Sequence, residues 1–299
     1  MNNSWVKTLK SANFMTGKAN SLADIKRHRK LADWASRIAT PKGDVERRRF
    51  SVDKIDCEEV RPLSAHNADY VILYCHGGGY VSGGLDYAGN LAVKFALATG
   101  FTVYSFAYRL APEDPYPAAE EDVDAVWDYI VENVAQADHV FLAGDSAGGN
   151  MALCLTQRLM AEGKPLPREL ILFSPWTDMT LTSGSYETNK DIDPILTKEF
   201  VGNSAKSYIG DRDPSDKKFS PLFGSFENFP PVYIMAGRNG ILLDDSIKLK
   251  EQIDKAGGTA ELDIEEKGWH VYQLMPGSMT REAMKRMAAH VSDTIGGKR

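Results

Sequence analysis

From residue 69 onward the chain alternates short apolar runs with longer amphipathic ones, and this rhythm restricts its fold more than any other feature. The apolar runs are DYVILYC, FTVYSFAYR, HVFLAG, LILFSPW and PVYIMAG, and helical patterns cover 118–131, 150–161, 245–255 and 279–295. Strands that read as unbroken apolar runs are buried on both faces, and helical crossovers between them make them parallel. The pattern predicts an α/β fold: a mostly parallel central sheet with helices on both faces. The rhythm breaks between 179 and 228, where polar, Gly- and Pro-punctuated sequence holds one helical patch over 197–208. An insertion of that length between two strands is expected to be a lid or cap, because a structureless loop so long would be unusual. The first 50 residues are polar and helix-prone and are expected to pack with it.

Several function classes drop out on composition. With 35 Lys and Arg against 41 Asp and Glu the net charge is −6, so counterion release offers no attraction to a phosphate backbone and no nucleic-acid partner is expected. The basic runs at 26–30 and 47–49 are expected to be solvated helix faces. Three cysteines, Cys57, Cys75 and Cys154, have no metal-like spacing, and Cys75 and Cys154 lie in apolar runs as small core residues. No metal or organic cofactor is expected. No stretch approaches the roughly 18 apolar residues of a membrane span, and the N-terminus MNNSWVKTLKSANFMTGK carries no signal-peptide pattern. A cytoplasmic protein without membrane partners is expected.

The chemistry concentrates in three places. Gly144-Asp145-Ser146-Ala147-Gly148 follows the apolar run HVFLA and opens a helical run, which is G-x-S-x-G in the strand–turn–helix setting it requires. The small flanking residues permit a sharp turn, and a helix N-terminus favours negative charge developing beside Ser146. His76-Gly77-Gly78-Gly79-Tyr80 follows the run VILYC. Consecutive glycines let the backbone approach a substrate and aim N–H groups at an oxyanion, as the same run does in lipases and esterases. The third place is His270, on a loop after the last strand, at the sheet edge where open α/β sheets bind ligands. Of the other histidines, His28, His66 and His290 are expected at the solvated surface. His139 begins a strand, and His76 has a structural role in the glycine loop.

Taken together, the chain resembles the bacterial hormone-sensitive-lipase-like branch of α/β-hydrolase carboxylesterases. The resemblance rests on HGGGYVSGG from His76, YRLAPEDPYPAAEED from Tyr108, GDSAGGNMA from Gly144 and GWHVYQ from Gly268, with support from SPLFGSFENFPPVYIMAG. It covers nearly the whole chain. It implies an α/β-hydrolase fold whose catalytic domain spans 49–180 and 219–299. The helical cap would be built from N-terminal helices in 1–48 and the insertion 181–218. It also implies a Ser–His–acid esterase with Ser146 as nucleophile, His270 as base, and an oxyanion hole from the N–H groups of Gly78, Gly79 and Ala147.

One position departs from the pattern. The triad aspartate is expected two residues past the glycine that ends PVYIMAG, and Asn239 stands there, followed by Gly240. The acid holds the imidazole in its working tautomer and stabilises the imidazolium. An amide can orient a ring but supplies no charge. Four readings remain open: a weakened enzyme; partial deamidation of the Asn239-Gly240 dipeptide; substitution by Asp244 or Asp245, which otherwise cap the next helix; or a residue introduced into the chain. The expectation is a serine esterase acting on small, short-chain esters through an acyl-enzyme, with a homodimer implied by the resemblance. A catalytically impaired hydrolase that binds a small molecule, or an amidase or peptidase, are the competing readings.

Overall fold

The structure, a computed structural model, describes residues 21–64 and 69–297. Eight strands form one sheet: β1 (Val45–Val52), β2 (Ile55–Pro62), β3 (Val71–Cys75), β4 (Thr102–Phe106), β5 (Val140–Asp145), β6 (Glu169–Phe173), β7 (Val232–Gly237) and β8 (Ala260–Glu265). Their spatial order is β1-β2-β4-β3-β5-β6-β7-β8. From β4 to β8 all neighbours are parallel, and the β1–β2 hairpin joins β4 antiparallel. The helices are α1 (Leu22–Ala39), α2 (Leu85–Thr99), α3 (Ala118–Asn133), α4 (Ala147–Glu162), α5 (Ser185–Thr188), α6 (Lys198–Ile209), α7 (Leu243–Lys255) and α8 (Ser278–Ile295). This is the α/β-hydrolase fold. Two buried clusters fill the layers, one on each face of the sheet; Leu73, Leu142 and Leu172 point into one, Tyr74, Phe141 and Phe173 into the other. Among the described residues no helix is long and apolar enough to cross a membrane.

The departures from the sequence expectation have physical causes. Arg47, Arg48 and Arg49 are not on a helix face. They lie on the edge strand β1 and pair across the hairpin, Arg47 to Glu58 at 2.6 Å and Arg48 to Glu59 at 2.5 Å. Strand β1 therefore takes in 45–48, where the resemblance implies N-terminal helices. An edge strand exposed on both faces has no apolar alternation to betray it. Helix α2 escapes notice for the opposite reason: most of its residues are buried, so no polar face marks a helical period. His66 and residues 1–20 lie outside the described residues.

Candidate active site

The chain reaches the site along β5, whose last residue is Asp145. Ser146 then adopts φ 52° and ψ −118°, a sparsely populated backbone conformation, before α4 begins at Ala147. The turn is crowded enough to demand its glycines: a Cβ on Gly148 would run into the carbonyl of Cys75. The Ser146 amide donates to Phe173 O at 3.0 Å, and Trp176 N donates to Ser146 O at 3.0 Å, so β6 fixes the turn from its other side.

Asp145 couples this turn to the glycine loop. Its carboxylate is buried and accepts from Tyr74 Oη (2.6 Å), Gly77 N (2.7 Å) and Tyr87 Oη (2.7 Å). Burial pushes it up to about 6, opposed by those three donors. Past Gly77 the loop turns through Gly78 (φ 114°) and Gly79 (φ 66°), a conformation other residues rarely adopt. Ser82 N, Ser82 Oγ and Val81 N all donate to Gly78 O. Among the described residues the N–H groups of Gly78, Gly79 and Ala147 donate to no protein acceptor. Gly78, Gly79 and Ser146 line one cavity, with the Ala147 amide at the α4 N-terminus beside them.

His270 completes the pair. Its Nε2 lies 3.0 Å from Ser146 Oγ, and burial pushes the ring down to about 3. The loop carrying it is held on both sides, since Val271 N donates to Ser174 Oγ at 3.3 Å. Lys94 on α2 donates to Gln273 O (2.7 Å) and Leu274 O (2.9 Å), and burial pushes its amine down to about 7. The other ring nitrogen, Nδ1, is buried and has no hydrogen-bond partner among the described residues.

That nitrogen is the one a triad acid would hold, and the loop after β7 carries the residue expected to hold it. Asn239 lies in the loop after β7 with its amide donating to Gly268 O at 2.9 Å, which ties the acid-slot loop to the histidine loop. Its side chain does not bond His270. Neither do Asp244 and Asp245, nor do they cap their own helix. Asp244 accepts from Ser185 N at 2.8 Å; Asp245 accepts from Thr177 N (2.8 Å), Asp178 N (3.2 Å) and Ser183 Oγ (3.1 Å). Asp245 braces the segment leading into the insertion and, with Asp244, the insertion's first residues. Two residues with no signal in the sequence grip the acid-slot loop from that insertion. Asn189 Nδ2 donates to Arg238 O (3.0 Å) and Gly240 O (2.8 Å), and Asp193 accepts from Ile241 N (2.9 Å). Burial pushes Asp193 up to about 6.

Three residues expected at the solvated surface are elsewhere. His28 is buried on the inner face of α1, its ring centroid 4.8 Å from that of Phe200, and it lines the cavity. Arg29 clamps α1 to the glycine loop, donating from Nε to Val81 O at 2.6 Å and from Nη2 to Ala111 O at 2.9 Å. His290 is buried against Glu169 and stacks on Tyr233 at 4.0 Å. Each sits on a helix whose polar residues disguise which face packs inward. His76 is structural as expected, stacked on Tyr108 at 4.1 Å with Nδ1 2.7 Å from Gly77 O.

Ser146, His270 and the glycine loop thus meet beyond the C-terminal ends of the sheet strands. Residues 72–274 match the family model described as the alpha/beta hydrolase fold. The chain belongs to that family. Within it, the chain falls among the bacterial hormone-sensitive-lipase-like esterases. It is similar to a solved esterase of the bacterial hormone-sensitive lipase family, at 29% identity with TM-score 0.87, covering 97% of this chain and 98% of that one. It is also similar to an esterase of Acinetobacter venetianus, 32% identical over 251 residues (82% of this chain, 81% of the relative). An acetyl-hydrolase of Streptomyces hygroscopicus is 32% identical over 235 residues, covering 79% and 77%.

Proposed function

We propose that this α/β-hydrolase is a carboxylic ester hydrolase that works through an acyl-enzyme on Ser146. The observation that carries the reading is the 3.0 Å Nε2–Oγ contact beside unengaged backbone N–H groups. In the proposed cycle Ser146 Oγ attacks the ester carbonyl carbon while His270 Nε2 takes the hydroxyl proton. Negative charge passes to the carbonyl oxygen, where the N–H groups of Gly78, Gly79 and Ala147 receive it. The C–O bond then breaks and the alcohol leaves with the proton from His270. Water, deprotonated by the same nitrogen, attacks the acyl carbon, and the acid departs as Ser146 is regenerated.

The cavity supports a preference for short acyl chains. Helix α1 and the insertion cover it as a cap, through Ala32 on one side and Ile195, Leu196, Phe200 and Val201 on the other. The space left for the centres of water-sized molecules is ≈ 40 Å³, room for about three waters. That suits acetyl or butyryl groups and not long chains. The test is hydrolysis of p-nitrophenyl acetate, butyrate and octanoate at high enzyme concentration beside Ser146→Ala. Hydrolysis is expected to decline toward octanoate and to vanish in the variant with its melting temperature unchanged. Turnover in Ser146→Ala within a few-fold of wild type would refute the nucleophile. The unpartnered Nδ1 of His270 favours one other reading, a hydrolase fold kept for small-molecule binding. Short esters that bind tightly without Ser146-dependent turnover would establish it.

A further inference from the structure

Besides the reacting pair, four polar side chains line the cavity: His28, Ser82, Tyr87 and Ser204. Two are already engaged, Ser82 Oγ with Gly78 O at 3.0 Å and Tyr87 Oη with Asp145 at 2.7 Å. Ser204 is not. It sits on the inner face of α6, fully buried, and its hydroxyl has no hydrogen-bond partner among the described residues. A Cβ built on Gly79 would stand 3.0 Å from that hydroxyl, so Ser204 lies directly over the oxyanion loop. His28 approaches from α1, its ring packed on Phe200, one turn before Ser204 on α6. Burial pushes His28 down to about 4, so at neutral pH the ring is uncharged and offers one donor and one acceptor nitrogen.

The wall around these two groups is apolar, with Ile195, Leu196, Val201, Leu242 and Leu274. An orphaned buried hydroxyl in such a wall is unfavourable until something bonds it. We propose that Ser204, backed by His28, recognises a hydroxyl or keto oxygen on the substrate, so that the preferred substrates are short hydroxy- or oxo-substituted esters rather than plain alkyl esters. This rests on the ester-hydrolase reading above. Because Ser204 overlies Gly79, the recognised oxygen lies close to the scissile carbonyl, on the acyl or the alcohol side of the ester. A hydroxyl both donates and accepts, so alcohols and ketones qualify. A carboxylate does not, since neither Ser204 nor neutral His28 offsets a buried charge.

The test uses isosteric pairs followed by proton release. On the acyl side methyl 3-hydroxybutyrate is set against methyl 3-methylbutyrate; on the alcohol side 2-hydroxyethyl butyrate is set against propyl butyrate. The readout is the ratio of kcat/KM within each pair, in wild type, Ser204→Ala and His28→Phe. Wild type is expected to favour the hydroxylated member in one pair, and Ser204→Ala to reduce that ratio about three- to tenfold, the worth of one neutral hydrogen bond. His28→Phe is expected to reduce it less. The pair that responds identifies the side of the ester on which the oxygen sits. Ratios equal in wild type and Ser204→Ala for both pairs would overturn the proposal. Hydrolysis of none of the four esters would instead sink the ester-hydrolase reading, and this inference with it.

Discussion

Replacing Asn239 with aspartate is expected to make the enzyme faster, and the structure gives the scale. Burial holds the His270 imidazole near 3 against 6.5 for a free ring. Each time the ring accepts the Ser146 proton it therefore meets an opposing term on the order of 5 kcal/mol. The Nδ1 proton required for Nε2 to act as base adds to this, because it too is buried without an acceptor. An ionised carboxylate within hydrogen-bond reach of Nδ1 restores about 1–3 pH units of basicity, or roughly 1.4–4 kcal/mol. That converts to about a 10- to 1000-fold rise in kcat. The roughly 10⁴-fold loss on the reverse change in a serine protease sets the ceiling. The assay is p-nitrophenyl butyrate turnover as a function of pH for both proteins. With Asn239 the ring stays neutral down to about 3, so its own titration places no acid limb above about pH 5. With aspartate the ring pKa rises, and since the neutral imidazole is the base, the acid limb moves upward with it. Asp145 and Asp193, both pushed up to about 6, titrate in the same window in both proteins, so the difference between the profiles isolates position 239. Peptide mass analysis of fresh and aged wild type tests deamidation, which would show as a mass gain at Asn239 tracking a rise in activity. Unchanged kcat with an unmoved acid limb in Asn239→Asp, together with loss of activity in Asp244→Asn, would show that the acid slot is elsewhere.

Two further predictions concern the cap. Asp245 has its carboxyl pushed by burial from 3.8 to about 7, so the folded chain keeps a proton that the unfolded chain releases between those values. Its stabilising contribution is present below about pH 4 and is lost as pH rises through about 7, so the gap in melting temperature between wild type and Asp245→Asn should shrink from about pH 4.5 to 7.5; a gap that widens refutes it. Arg29→Met, which removes the bonds to Val81 O and Ala111 O, should weaken the seating of α1 by about 1–3 kcal/mol, seen as faster proteolysis near residue 40 and a KM that rises more than kcat falls.

The parallel core of the fold is legible in the sequence because β3, β5, β6 and β7 are buried on both faces, and unbroken apolar runs record that directly. Strands β1 and β8 were not legible for the converse reason. VERRRFSV and AELDIE lie at the two edges of the sheet, where charged residues are tolerated and the alternation is weak. The position of Ser146 follows from the same logic, since it lies just beyond the C-terminal end of the readable β5 and strand ends converge on one edge. His270 lies beyond the illegible β8 and is found instead as the histidine after the last apolar run.

What the sequence does not disclose is how the cap enters the site, and the reason is that cap residues act through contacts very distant along the chain. His28 and Ser204 are separated by most of the catalytic domain, yet both face the cavity. Asn189 and Asp193 lie in a stretch whose polarity reads as solvent-facing, but their side chains are the internal partners of backbone groups on either side of Asn239. The acid-slot loop is bonded in turn to the histidine loop through Asn239 N and Gly268 O. The insertion, the loop after β7 and the loop carrying His270 are thus one hydrogen-bonded chain, and a buried carboxylate in it, Asp193, cannot be lost without leaving backbone N–H groups unpaired. This explains how position 239 can carry an amide without the site falling apart. The loop is held in place by its backbone and by the insertion. On the proposed reading, the residue at 239 then decides whether His270 has a charge behind it.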